Sequence, residues 1–71
     1  MTLRKRSVLI AGHPTSVTLE EPFWETLKDM AVARGLSINA LVEEIDGNRD
    51  GNLSSALRVA ALLWVKGQMP A

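Results

Sequence analysis

The chain has no cysteine and no tyrosine, and only one histidine and one phenylalanine. Without cysteine there is no disulfide and no thiolate metal site. His13 alone cannot build a histidine-rich centre, and no serine or acid is arranged around it as a nucleophilic triad requires. Glu20 and Glu21 are adjacent at the start of a helical pattern, where acids serve the helix dipole. No enzyme and no cofactor is expected. No apolar run is long enough to span a bilayer. The basic Met1–Arg6 followed by the apolar Ser7–Gly12 has the outline of a secretory leader, but the apolar piece is too short and Pro14 follows it. A cytoplasmic location without membrane contact is the expectation. The eight Lys and Arg balance the eight Asp and Glu, so bulk positive charge is not available to attract nucleic acid.

What remains is a 71-residue chain, 46% hydrophobic, that makes one domain over residues 1–71. A domain this small buries a modest share of its surface and is commonly completed by a disulfide, a metal or a second copy. The first is excluded and the second is poorly provided for, so oligomerisation is the expected route.

Thr15-Ser16-Val17-Thr18-Leu19 alternates, with Thr15, Val17 and Leu19 on a core face and Ser16 and Thr18 on a polar, uncharged one. The strand region spans 7–19, because Ser7–Ile10 can also be a strand and Gly12-His13-Pro14 reads as a breaker. Glu20-Glu21-Pro22 opens a helix over about 22–34, with proline in the first turn. Phe23, Leu27, Met30 and Ala31 recur on one side of it, and Gly35 ends it. Ser37 caps a second helix over about 38–46, striped by Ile38, Leu41, Val42 and Ile45. Asp46–Gly51 is rich in turn residues, and Asn52 can cap a third helix over about 53–66. From Val59 to Val65 that helix is apolar almost all round, which one small protomer cannot cover. A lone strand leaves backbone groups and an apolar face without partners. Both features predict a homodimer, with Val17, Leu19, Leu41, Val42, Leu57 and Leu63 at its interface.

Gly35-Leu36-Ser37-Ile38-Asn39-Ala40-Leu41-Val42, arriving after the strand and the Phe23-Trp24 helix, resembles the ribbon-helix-helix family of MetJ/Arc-type regulators over residues 15–45. A wider resemblance, to small bacterial proteins known only as a ribbon-helix-helix domain, takes in Lys5-Arg6-Ser7-Val8, Gly12-His13, Thr15-Ser16-Val17, Glu20, Phe23-Trp24 and Gly51–Val59. The resemblance implies a mostly α fold with a short β element: an intertwined homodimer whose strands pair antiparallel between copies. It also implies a transcription regulator that inserts this ribbon into the major groove of double-stranded DNA. Ser16 and Thr18 would then face the bases, and the N-terminus of the second helix, at Ser37 and Asn39, would clamp phosphate.

Several alternatives stand beside this reading. Arg4, Lys5 and Arg6 form either a phosphate-binding arm or a solvated tail. If Ser7–Ile10 folds back on Thr15–Leu19, the N-terminal strand widens the dimer sheet to four strands, which enters the groove less readily. A protein-interaction dimer, of the antitoxin or adaptor kind, is the second functional reading. The third is calcium at Asp46, Asn48 and Asp50, spaced like the start of an EF-hand loop. That loop would need a carboxylate where Leu57 stands, so a plain polar turn is the simpler account.

Overall fold

A computed structural model of the chain describes residues 2–48 and 51–68. Strand β1 spans Leu3–Ile10 and strand β2 spans His13–Glu20. Helices α1 (Glu21–Arg34), α2 (Ile38–Asn48) and α3 (Leu53–Gln68) follow. The two strands pair antiparallel from Leu3 opposite Glu20 to Ile10 opposite His13. Ala11 and Gly12 close the hairpin with φ of 50° and 81°. Positive φ at both positions defines the tight turn whose twist matches that of the flanking strands. Gly12 adopts it freely, whereas Ala11 bears some strain.

The expected breaker at Gly12-His13-Pro14 is therefore displaced, because His13 and Pro14 belong to β2. In a two-residue hairpin the flanking pair, Ile10 and His13, is hydrogen-bonded, and the next, Leu9 opposite Pro14, is not. The ring nitrogen of Pro14 thus faces away from β1, where a missing N–H costs the ladder nothing.

The antiparallel pairing expected between two copies is found within one chain. Of the two courses open to the N-terminal segment, it takes the one that makes a strand. β2 thus has a backbone partner within the chain, and the outer edges of the two strands remain. Arg4, Lys5 and Arg6 are neither arm nor tail, because all three lie inside β1.

The hairpin forms one layer and the helices the other. Val8, Val17 and Leu19 from the hairpin meet Trp24, Leu27 and Ala31 of α1, Leu41 and Val42 of α2, and Leu53, Leu57 and Ala61 of α3 in a single core. Ile10, Phe23, Met30, Leu36, Ile38 and Ile45 close its rim. Leu27, Leu41, Val42 and Leu57 are fully buried, so truncating one of the leucines to alanine would cost about 2–5 kcal/mol. That is a large part of the stability of a domain this size.

Each helix end has a local cause. Gly35, at φ 70°, closes α1. Its N–H donates to Val32 O at 3.1 Å, and the Leu36 N–H donates to Ala31 O at 2.9 Å, the paired bonds of a Schellman stop. Ser37 Oγ accepts from the Ala40 N–H at 3.0 Å, and Asn52 Oδ1 accepts from the Ser55 N–H at 3.0 Å. These side chains satisfy first-turn N–H groups of α2 and α3. α2 runs past its expected end to Asn48, whose Nδ2 donates back to Glu44 O at 2.9 Å.

Candidate nucleic-acid interface

The core face of the hairpin is set by Val8, Val17 and Leu19, so side chains of opposite parity point outward. The register then assembles the outer face in four cross-strand rungs: Leu9 with Pro14, Ser7 with Ser16, Lys5 with Thr18, and Leu3 with Glu20. All but Glu20 are exposed. Ser16 and Thr18 stand on this face as expected, joined by Ser7 and by Lys5.

The alternation splits the basic run. Arg4 and Arg6 fall on the opposite face from Lys5. Arg6 donates from Nη2 to Glu21 Oε2 at 2.5 Å and lays its guanidinium 4.8 Å from the centroid of the Trp24 ring. Its Nε is buried without a hydrogen-bond partner. Those contacts commit Arg6 to holding α1 against the hairpin. Arg4 is 63% exposed and lies 3.9 Å from Glu21. Of the three cations expected to meet phosphate together, only Lys5 stands on the ribbon's outer face.

The helices close parts of the hairpin's two edges. The Asn39 amide bonds Leu9 twice: Oδ1 accepts from the Leu9 N–H and Nδ2 donates to the Leu9 carbonyl, both at 2.8 Å. The side chain takes the place of a neighbouring strand at that residue, so it has little left to offer a phosphate. Glu43 Oε1 accepts from the Ala11 N–H at 3.3 Å. On the other edge, Ser54 Oγ accepts from the Thr18 N–H at 3.3 Å, and Arg58 Nη2 reaches the Thr18 carbonyl at 3.4 Å. Arg58 Nε also donates to Glu20 Oε1 at 3.0 Å. The Glu20 carboxyl lies below its usual pKa, held there by its own main-chain N–H and then by Arg58. Sequence reasoning gave Ser54, Arg58 and Glu43 no role. Their signal was legible only once β2 was placed beside α3 and the hairpin turn beside α2, because it depends on which helix covers which edge.

Asn39 also fixes where the N-terminus of α2 lies. Ser37 is exposed, and its hydroxyl caps Ala40. The Ile38 and Asn39 N–H groups remain at the positive end of the helix dipole, beside the turn end of the ribbon. This end can take an anion through main-chain donors, with Asn39 as its tether rather than its ligand.

The remaining expected residues separate clearly. Val17, Leu19, Leu41, Val42 and Leu57 fill the protomer's own core and have no surface left for a partner. Leu63, by contrast, is 61% exposed. Asp46 and Asn48 lie on helical backbone, where residues two apart point about 200° apart around the axis, so they do not converge on an ion. Asp50, the third calcium candidate, lies outside the described residues. Among the described residues no helix is long and apolar enough to cross a membrane.

A β-ribbon leading into two helices joined by a glycine stop and a serine cap, with a third helix behind them, defines a ribbon–helix–helix architecture. The chain belongs to the ribbon-helix-helix domain family, whose model matches residues 3–65. It is also similar to a solved structure, that of an uncharacterized protein from Bordetella pertussis Tohama I, at 31% identity and a TM-score of 0.75. That alignment covers 99% of this chain and 64% of the other, so the chain spans under two thirds of that neighbour's length. No curated protein matches the chain.

Proposed function

We propose that the protein is a small homodimeric, cytoplasmic transcription regulator that reads double-stranded DNA with its hairpin. The observation that carries this is the outer face of the ribbon. Ser7, Ser16, Thr18 and Lys5 stand together and exposed on a two-stranded element, the width the major groove admits. The one acid on that face, Glu20, is engaged by Arg58. The hydroxyls supply hydrogen bonds to base edges, and the main-chain N–H groups at the start of α2 supply the phosphate contact. With one cation per ribbon and no net charge, affinity is modest and discrimination by Ser and Thr is shallow.

Gel-shift titrations with genomic fragments across salt concentrations test the reading. Binding should strengthen at low salt. Lys5→Ala, removing one cation from each of two copies, should flatten the log–log salt slope by roughly 2. Thr18→Val should alter sequence preference and leave that slope in place. Arg6→Ala should lower thermal stability instead. Absence of binding at low salt would turn the reading toward a protein-interaction dimer, of the antitoxin or adaptor kind. The exposed Leu3 and Leu9 beside those hydroxyls favour that second reading.

A further inference from the structure

Two apolar side chains stand together at the turn end of the ribbon's outer face. Leu9 is 50% exposed, and Pro14, directly opposite it, is exposed as well. Theirs is a pair without mutual hydrogen bonds, the kind in which opposed side chains approach most closely. The neighbouring rungs are polar: Ser7 with Ser16, then Lys5 with Thr18. The face's other apolar residue, Leu3, lies about 20 Å along the strand, beside Glu20.

The surroundings hold this apolar rung in place. The Leu9 N–H and carbonyl both bond the Asn39 amide at 2.8 Å, so the residue is fixed from the strand edge while its side chain stays free. Beyond it the hairpin tip carries only Ala11 and Gly12, too small to keep the rung out of a groove. Asn39 also brings the start of α2, with its main-chain donors, to the same end of the ribbon. A phosphate held there sets the adjoining groove beside Leu9 and Pro14.

An apolar rung that enters the major groove needs an apolar counterpart. Base edges there present hydrogen-bond donors and acceptors, and among the four ordinary bases thymine alone adds an apolar group, its C5-methyl. Against donors and acceptors, Leu9 and Pro14 would strip water from groups they cannot bond, which is costly. Against a methyl, they bury apolar surface on both sides of the contact.

We propose that Leu9 and Pro14 form a receptor for the C5-methyl group of a pyrimidine, so that the turn end of the ribbon selects thymine, or 5-methylcytosine where the DNA is modified. The proposal rests on the DNA-binding reading above and names a base that its hydroxyls leave unchosen. Serine and threonine both donate and accept, so they bond to more than one base. The apolar rung is the part of the face with a single match. It also gives exposed Leu9 a use that calls for no protein partner.

Synthetic duplexes of alternating A·T and of alternating A·U test the proposal, because they differ only in that methyl and present it in every register. Binding at low salt should be tighter for A·T, by about fourfold for each methyl covered. Leu9→Ser should bring the ratio of the two affinities close to one, and any difference in duplex shape cancels between parent and variant. Leu3→Ala, at the far end, should keep the parent's ratio. Circular dichroism and melting of both variants separate loss of fold from loss of contact. A G·C duplex compared with its 5-methylcytosine form distinguishes the two sources of the group. A similar gain on methylation assigns the preference to the methyl on either base, and no gain confines the contact to thymine. Equal binding of A·T and A·U by the parent, or a preference that persists in Leu9→Ser, overturns the proposal while DNA binding stands. Absence of binding to every duplex at low salt defeats the DNA-binding reading first, and this inference with it.

Discussion

Asn39 shows how much one side chain decides. A carboxamide offers one acceptor and two donors, and Leu9 presents one N–H and one C=O on the open edge of β1. The pair match at 2.8 Å in both directions. A carboxylate of the same size still accepts from the N–H but cannot donate, and it sets negative charge against a carbonyl oxygen. Asn39→Asp should therefore destabilise the fold by about 1–3 kcal/mol, read as a lower melting temperature. It should also speed hydrogen exchange at the amides of Leu9 and Ala11 in particular. An unchanged exchange rate there would mean that the bidentate contact contributes nothing in solution. Nothing in the order of residues reveals this contact. Asn39 sits in the first turn of a helix, where an asparagine ordinarily serves its own helix, and its partner lies thirty residues earlier. The sequence shows the helix and its cap at Ser37, but not the edge that Asn39 closes.

At the level of elements, the helices and the second half of the first strand were legible, and the first half of that strand was not. Ser37, Asn52 and Gly35 are local signals acting through local bonds, and each ends or begins a helix where the sequence suggests. β1 is different. Its first half, Leu3-Arg4-Lys5-Arg6, has charges on both parities, so alternation of apolar and polar residues is invisible there. Arg6 faces inward only because Trp24 and Glu21 receive it, a tertiary arrangement that residue type does not announce. The turn was misplaced for a related reason. Pro14 reads as a breaker until its nitrogen is known to point off the sheet. Because Ala11 holds φ 50°, a residue that tolerates the left-handed region should relieve it. Ala11→Asn, which creates the preferred Asn-Gly pair, should stabilise the hairpin by about 0.5–1 kcal/mol. Gly12→Val, with a branched side chain at φ 81°, should destabilise it by about 1–2 kcal/mol or more. Denaturant titration of the three proteins should order them Ala11→Asn, parent, Gly12→Val. Any other order would place the turn elsewhere in solution.

Across the whole molecule, four ion pairs among the described residues join different elements: Arg4 and Arg6 of β1 to Glu21 of α1, Arg34 of α1 to Glu44 of α2, and Arg58 of α3 to Glu20 at the end of β2. The arginine bonds the Glu21 and Glu44 carboxyls and holds each below its usual pKa. Glu20 is lowered by its main-chain N–H and by Arg58. A depressed carboxyl pKa means that the folded state holds its proton more weakly than the unfolded chain does. The stability from these pairs is therefore fully present above the ordinary glutamate range near 4.5, and it is lost as pH falls through the lower folded values. The melting temperature should be level from pH 7 to about pH 5 and decline below that. Because all three carboxyls are open to solvent, the decline should be shallow and should shrink further in high salt. Glu21→Gln should reduce the slope of that decline and change little at low pH, where the parent carboxyl is already protonated. A variant that kept the parent's full acid dependence would show that the Arg6–Glu21 contact does not link hairpin to helix. The attachment of α1 would then rest on the packing of Trp24, Leu27 and Ala31 in the core, a term that does not titrate.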